Sequence, residues 1–164
     1  MKNLFLITSL IFMLSCSNDN STAQSAFFNE NQLYFNFKSE NGTNLLDNSK
    51  TDSYKISSMK LFYLINDTPI EVKSENGFNS GSIELTPDKH LTVFTNTSTE
   101  NLIEENDTYK TVENVAYLQL NENEIDTIKT YSKISKNYFR IIKVWYNDKQ
   151  VFKEGDNTLI EIIK

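Results

Sequence analysis

Cysteine, histidine, glycine and proline are all scarce in this chain: one, one, four and two respectively among 164 residues. Each shortage excludes a class of chemistry. A single thiol, Cys16, allows neither an intrachain disulfide nor a thiolate metal cage. A lone histidine, His90, removes multi-histidine metal sites and weakens any Ser-His-Asp triad. Following Pro87-Asp88-Lys89 and preceding Leu91, it belongs at a strand start, solvated or bonded to a neighbour. The glycines form no phosphate-cradling loop, so nucleotide binding has no support. No run of acidic residues carries the spacing of a calcium-binding helix-loop-helix. Nor is there an excess of positive charge. The formal net charge of -6 argues against a general nucleic-acid binder. No cofactor and no metal site are expected.

What is present begins with the first sixteen residues. Lys2 supplies a positive charge, and Leu4 to Leu14 form an apolar run broken only by Thr8 and Ser9. That run is far below the roughly twenty residues of a membrane-spanning helix and reads as an export signal. Met13-Leu14-Ser15-Cys16 resembles a bacterial lipobox, with Met13 where leucine is usual. The expected processing removes residues 1–15 and leaves Cys16 diacylated. Each buried acyl methylene contributes about 0.8 kcal/mol, and two chains suffice for stable anchoring. The partner so implied is a membrane, and the location is the bacterial envelope, with the outer membrane favoured. Ser17 is not the aspartate associated with inner-membrane retention. The competing reading is an ordinary signal peptide cut near Ala23-Gln24-Ser25, which discards Cys16. Residues 16–31 are expected to form a flexible tether, with a reach on the order of 20 Å, and residues 32–164 a single domain. Phe27 and Phe28 are expected to pack on its edge.

From Leu33 onward the apolar pattern has period two, and no stretch carries the three-and-four spacing of a helix. Leu33, Phe35 and Phe37 alternate with polar neighbours. Tyr54 to Ile65 ends apolar on both phases, as a central strand covered on both sides would. Ile70 and Val72, Ile83 and Leu85, Leu91 and Val93, and Val115 to Leu120 give further short strands. A solvated strand is expected over Ile128 to Ile134, and Tyr138 to Tyr146, Val151-Phe152 and Leu159 to Ile163 complete the set. Asn41-Gly42, Asn66 to Pro69, Asn76-Gly77, Pro87-Asp88 and Asn147-Asp148 are turn chemistry. Asn96 to Asp107 reads as a long polar loop. Eight or nine strands at this spacing predict an all-β antiparallel sandwich of immunoglobulin-like or transthyretin-like type, with a small barrel as the alternative.

Phe35-Asn36-Phe37, Glu40-Asn41-Gly42-Thr43-Asn44-Leu45-Leu46 and Val144-Trp145-Tyr146-Asn147-Asp148-Lys149 resemble segments of small cell-envelope lipoproteins of the Bacteroidetes, whose function is mostly unassigned. The resemblance implies the sandwich fold and the lipid anchor, and it carries over no catalytic residue. The abundance of Asn has a compositional explanation in AT-rich codons. Asp126-Thr127-Ile128 matches a short O-glycosylation acceptor pattern that is too short to carry weight.

Charge is segregated along the chain. Residues 100–126 hold eight acidic side chains against Lys110, a net of -7, and residues 128–153 hold seven basic ones against Asp148, a net of +6. The favoured reading is cross-strand neutralisation between neighbouring strands. The sharper one is a basic face with aromatic rings interleaved, in which Tyr131, Tyr138, Trp145, Tyr146 and Lys143 bind an acidic polymer or glycan. No residue is singled out as catalytic. Carboxylates at Glu100, Glu104, Glu105 and Asp107, and at Glu122, Glu124 and Asp126, are the only route to a hydrolase; they are read as solvated loops and turns. The function expected is therefore a lipid-anchored, non-catalytic interaction or ligand-binding module with a glycan or an envelope protein as partner. A carboxylate-dependent glycan hydrolase and a purely structural envelope component are the alternatives.

Overall fold

A computed structural model describes residues 27–73 and 83–164. The signal segment, Cys16, most of the expected tether and the Asn76-Gly77 turn lie outside the described residues. Twelve strands are present among those described, and no α-helix. In chain order they are β1 (Phe28–Glu30), β2 (Gln32–Lys38), β3 (Lys60–Ile65), β4 (Thr68–Glu71), β5 (Ile83–Leu85), β6 (Leu91–Phe94), β7 (Leu102–Glu105), β8 (Lys110–Asn121), β9 (Glu124–Ile134), β10 (Tyr138–Tyr146), β11 (Lys149–Lys153) and β12 (Leu159–Ile163). They form two open sheets and no closed barrel. The large sheet has eight strands, ordered β1-β10-β9-β8-β3-β4, with β11 also on β10 and β7 also on β8; the small sheet is β12-β2-β6-β5.

The fold is all-β and sandwich-like, but the expected antiparallel set of eight or nine strands needs correction. β1 runs parallel to β10, and β12 parallel to β2. Parallel partners are distant in sequence, so no local turn signal announces them. β1 lies inside the stretch expected as tether, with Phe28 to Glu30 paired to Tyr138 to Arg140. Phe27 and Phe28 expose their side chains rather than packing on an edge.

The extra strands come from segments with weak patterns. Asn96 to Asp107 contains β7, whose Leu102 and Ile103 are exposed, so no apolar alternation marks it. Tyr54 to Ile65 is not one strand: Ile56–Ser58 is a 3-10 turn and only Lys60 onward pairs. β3 is covered on one side only, since Phe62 and Leu64 are half-buried outside the core while Leu61 is buried within it. Its apolar residues on both phases reflect an apolar outer surface. β9 is not a solvated strand either, because Ile128, Thr130 and Ser132 are buried against the core. Short polar side chains at the inward positions hid it.

Turn chemistry was more legible. Asn66 and Asp67 join β3 to β4 with both residues at positive φ, and Asn147 and Asp148 join β10 to β11 in the same way. Those are the two-residue hairpin turns that asparagine and aspartate tolerate without a Cβ-free residue. His90 stands just ahead of β6, its backbone N–H donating to the Thr86 hydroxyl and its carbonyl accepting from the Thr86 N–H, as the flanking sequence implied.

One apolar core lies between the sheets. Leu33, Phe35, Phe37, Leu91, Val93, Ile160 and Ile162 from the small sheet meet Leu61, Leu118, Leu120, Ile128, Phe139, Ile141 and Val144 from the large one. Tyr146 bridges the layers, with its ring 5.6 Å from Phe35 and 6.0 Å from Phe37. The Tyr63 hydroxyl donates to the Phe94 carbonyl at 3.0 Å, a second tie between the sheets.

Candidate functional site

Alternation along β8, β9 and β10 decides which residues face outward. Side chains in a strand alternate between faces, so with Tyr146 and Val144 buried, Trp145 and Lys143 point away from the core. On β9 the outward set is Lys129, Tyr131 and Lys133, and on β8 it is Glu113, Val115 and Tyr117. Register brings them together. Lys143 lies opposite Tyr131 and Trp145 opposite Lys129, while Tyr131 and Lys129 lie opposite Glu113 and Val115.

The result is a checkerboard of rings and ammonium groups on the outer face of the large sheet. The Tyr131 and Trp145 ring centroids are 4.7 Å apart at an interplanar angle of 57°. Lys129 Nζ stands 4.9 Å from the Trp145 ring, and Lys133 Nζ 4.8 Å from the Tyr109 ring, both within cation–π range. Beyond Tyr117, Phe62 of β3 extends the apolar part of the face. None of Phe62, Val115, Tyr117, Tyr131 or Trp145 belongs to the core cluster. Burial, then the neighbouring Glu113 carboxylate, raise the Tyr131 phenol above its ordinary pKa.

The expected neutralisation between the acidic and basic segments does not occur. Among the described residues no ion pair joins an acid of residues 100–126 to a base of residues 128–153. Lys110 pairs with Glu105 inside the acidic segment, and Arg140 pairs with Glu30 and Glu154. Register is the reason: where the two segments meet, across β8 and β9, Lys129 faces Val115, Lys133 faces Thr111 and Glu113 faces Tyr131, so no acid stands directly opposite a base. Within the basic segment Lys133 faces Arg140 and Lys143 faces Lys153, like charge against like.

Of the five residues expected to bind, the structure brings together Tyr131, Trp145 and Lys143. Tyr138 is on the same strand but seven positions from Trp145, about 20 Å along a β-strand, and it leaves the cluster. Tyr146 is a correction. It is 5% exposed and points into the core, as the direct neighbour of an outward Trp145 must. Its hydroxyl donates to Asp126 Oδ2 at 2.5 Å, and burial first, then that carboxylate, raise its pKa. Sequence reasoning missed Lys129 and Tyr117, although the parity of residues on β8 and β9 would have found both.

Asp126 is likewise no solvated turn residue. It is 3% exposed and lies in β9. Lys164 Nζ donates to its Oδ2 at 2.5 Å and to Glu124 Oε1 at 2.7 Å, while the Tyr54 hydroxyl donates to Glu124 Oε2 at 2.9 Å and the Asn147 amide to Asp126 Oδ1. The two carboxylates therefore share one ammonium, and each accepts from one phenol, Glu124 from Tyr54 and Asp126 from Tyr146. Such an arrangement ties the β8–β9 hairpin to the chain after β12; it does not face two acids across a substrate cleft. Among the described residues no group of three or more His, Cys, Asp or Glu converges to hold a metal ion.

A cleft of about 410 Å³ opens where β1 and β11 lie end to end along β10. Leu33, Ile141 and Phe152 line it, with Asn29, Gln32 and Thr158 among its polar residues. Its one carboxylate, Glu30, is engaged by Arg140 at 2.7 Å. No protein-family model, curated protein or solved structure matches the chain.

Proposed function

We propose that this chain is a lipid-anchored, non-catalytic binding module of a bacterial cell envelope, akin to the small Bacteroidetes envelope lipoproteins its segments resemble. In this reading diacylated Cys16 holds it to the outer membrane, and the outer face of the large sheet engages a glycan or an envelope protein. The two-layer arrangement is in keeping with a sandwich of immunoglobulin-like or transthyretin-like type. The observation that carries the binding role is the Tyr131–Trp145 pair with Lys129 over the indole, two large rings held on a sheet surface outside the core. Buried aromatics repay their entropy through packing; rings left on a face have that area still available to a partner.

Two substitutions test the two halves separately. Cys16→Ser should move the protein from the detergent-dependent membrane fraction to the soluble one, and unchanged fractionation removes the anchor. Trp145→Ala should abolish co-sedimentation of the full chain with purified envelope material while leaving the circular dichroism spectrum intact. Equal retention of both forms removes the binding face.

A further inference from the structure

The outer face sets like charges against one another across its ladders. Like charges directly opposed on adjacent strands are destabilising. The β10–β11 register nevertheless sets Lys143 against Lys153, both exposed, and the β9–β10 register sets Lys133 against Arg140. Arg140 is balanced by Glu30 and Glu154. Lys129, Lys133, Lys143 and Lys153 make no ion pair with any described residue. Eight acidic side chains lie in the adjoining segment of the chain, yet none pairs with these lysines.

We propose that this face holds an anionic polysaccharide, with sugar rings against Trp145 and Tyr131 and acidic groups on Lys129, Lys133, Lys143 and Lys153. The proposal rests on the binding-face reading above and names its ligand class. The rings and cations alternate: Tyr131 lies between Lys129 and Lys133 along β9 and opposite Lys143 across the ladder, so each ring has an ammonium beside it. An acidic glycan alternates in the same sense, because the C–H faces of its sugar rings are apolar and its charges sit at their edges. Charge density separates this ligand from a nucleic acid. Duplex DNA presents one negative charge per roughly 1.7 Å, whereas this chain is acidic overall and places Glu113 opposite Tyr131 within the patch. A sparsely charged polymer meets the four lysines without meeting the same repulsion from the rest of the molecule.

The full chain in detergent is titrated with polygalacturonate, uncharged dextran and a duplex oligonucleotide. Polygalacturonate should bind, weaken as salt rises, and lose about tenfold in affinity in the Lys143→Gln/Lys153→Gln double variant, since two exposed charge contacts together amount to that factor. The double variant should melt at or above the wild-type temperature, because it removes a like-charge opposition, so weaker binding reports the site and not the fold. Trp145→Phe should retain more affinity than Trp145→Ala. Dextran binding that equals polygalacturonate binding and ignores the lysine variants overturns the anionic ligand while leaving the binding face standing. Tighter binding of the oligonucleotide, no binding of polygalacturonate, or wild-type affinity in the lysine double variant each overturns the proposal.

Discussion

Replacing Lys164 by methionine should destabilise the protein far more than replacing any other lysine that forms an ion pair. Lys164 is 16% exposed, and its ammonium lies 2.5 Å from an Asp126 carboxylate whose side chain is 5% exposed. Removing it leaves that carboxylate buried beside the Tyr146 hydroxyl and the Asn147 amide, with no counter-charge. Breaking a buried pair costs about 3–5 kcal/mol. Here the two remaining donors, and a Glu124 side chain that is 32% exposed, bring the expected loss down to about 2–4 kcal/mol. Lys110→Met is the control: its bond to Glu105 joins side chains each 49% exposed, and such pairs contribute about 0–1 kcal/mol. Urea unfolding followed by tryptophan fluorescence reads both. The Lys164→Met/Asp126→Asn double variant removes the uncompensated charge and should recover part of the loss, which also covers the case in which the single variant fails to fold. Equal effects of Lys164→Met and Lys110→Met would refute the network's role.

Alkaline stability follows from the buried phenols. Burial pushes Tyr63 up to about 12, and burial with the Glu124 and Asp126 carboxylates raises Tyr54 and Tyr146 as well. The unfolded chain releases these protons near pH 10 while the folded one holds them, so stability is intact below about pH 10 and declines above it. A folded-state titration of tyrosinate absorbance should therefore fall short of all eight tyrosines at pH 11, and full ionisation at that pH contradicts the burial. At the acid end, hydrogen bonds from Lys89 and Ser49 lower the Asp47 carboxyl to about 2. Its contribution is present above the unfolded value of 3.8 and lost as pH falls toward 2, so Lys89→Met should flatten the acid limb of a melting-temperature profile. Lys143→Gln should raise stability by a few tenths of a kcal/mol through relief of its opposition to Lys153; a measurable loss in thermal melts contradicts that register.

Periodicity and turn chemistry carried much of the fold. The period-two run of β2, the apolar run of β10 and the Asn-Asp hairpin were plain because each depends on neighbours in sequence. β7 and β9 were misread for the opposite reason. An exposed edge strand has no apolar face to show, and a strand that buries Thr130 and Ser132 looks solvated until its neighbours cover it. The site divides in the same way. Trp145 and Tyr146, adjacent in one strand, had to face opposite ways, and alternation alone was sufficient to separate them.

The sequence by itself determined the β-class of the chain, its tight turns and the segregation of acidic from basic side chains, since composition and local alternation specify all three. Only the tertiary structure decided that the charges stay apart. Cross-strand neighbours depend on register, and a shift of one residue exchanges every partner. The same is true of the parallel pairings β1–β10 and β12–β2, and of Asp126, which became a buried anion once Lys164 and Tyr146 closed around it. These contacts join residues far apart in the chain, and local pattern holds no record of which distant strands will meet.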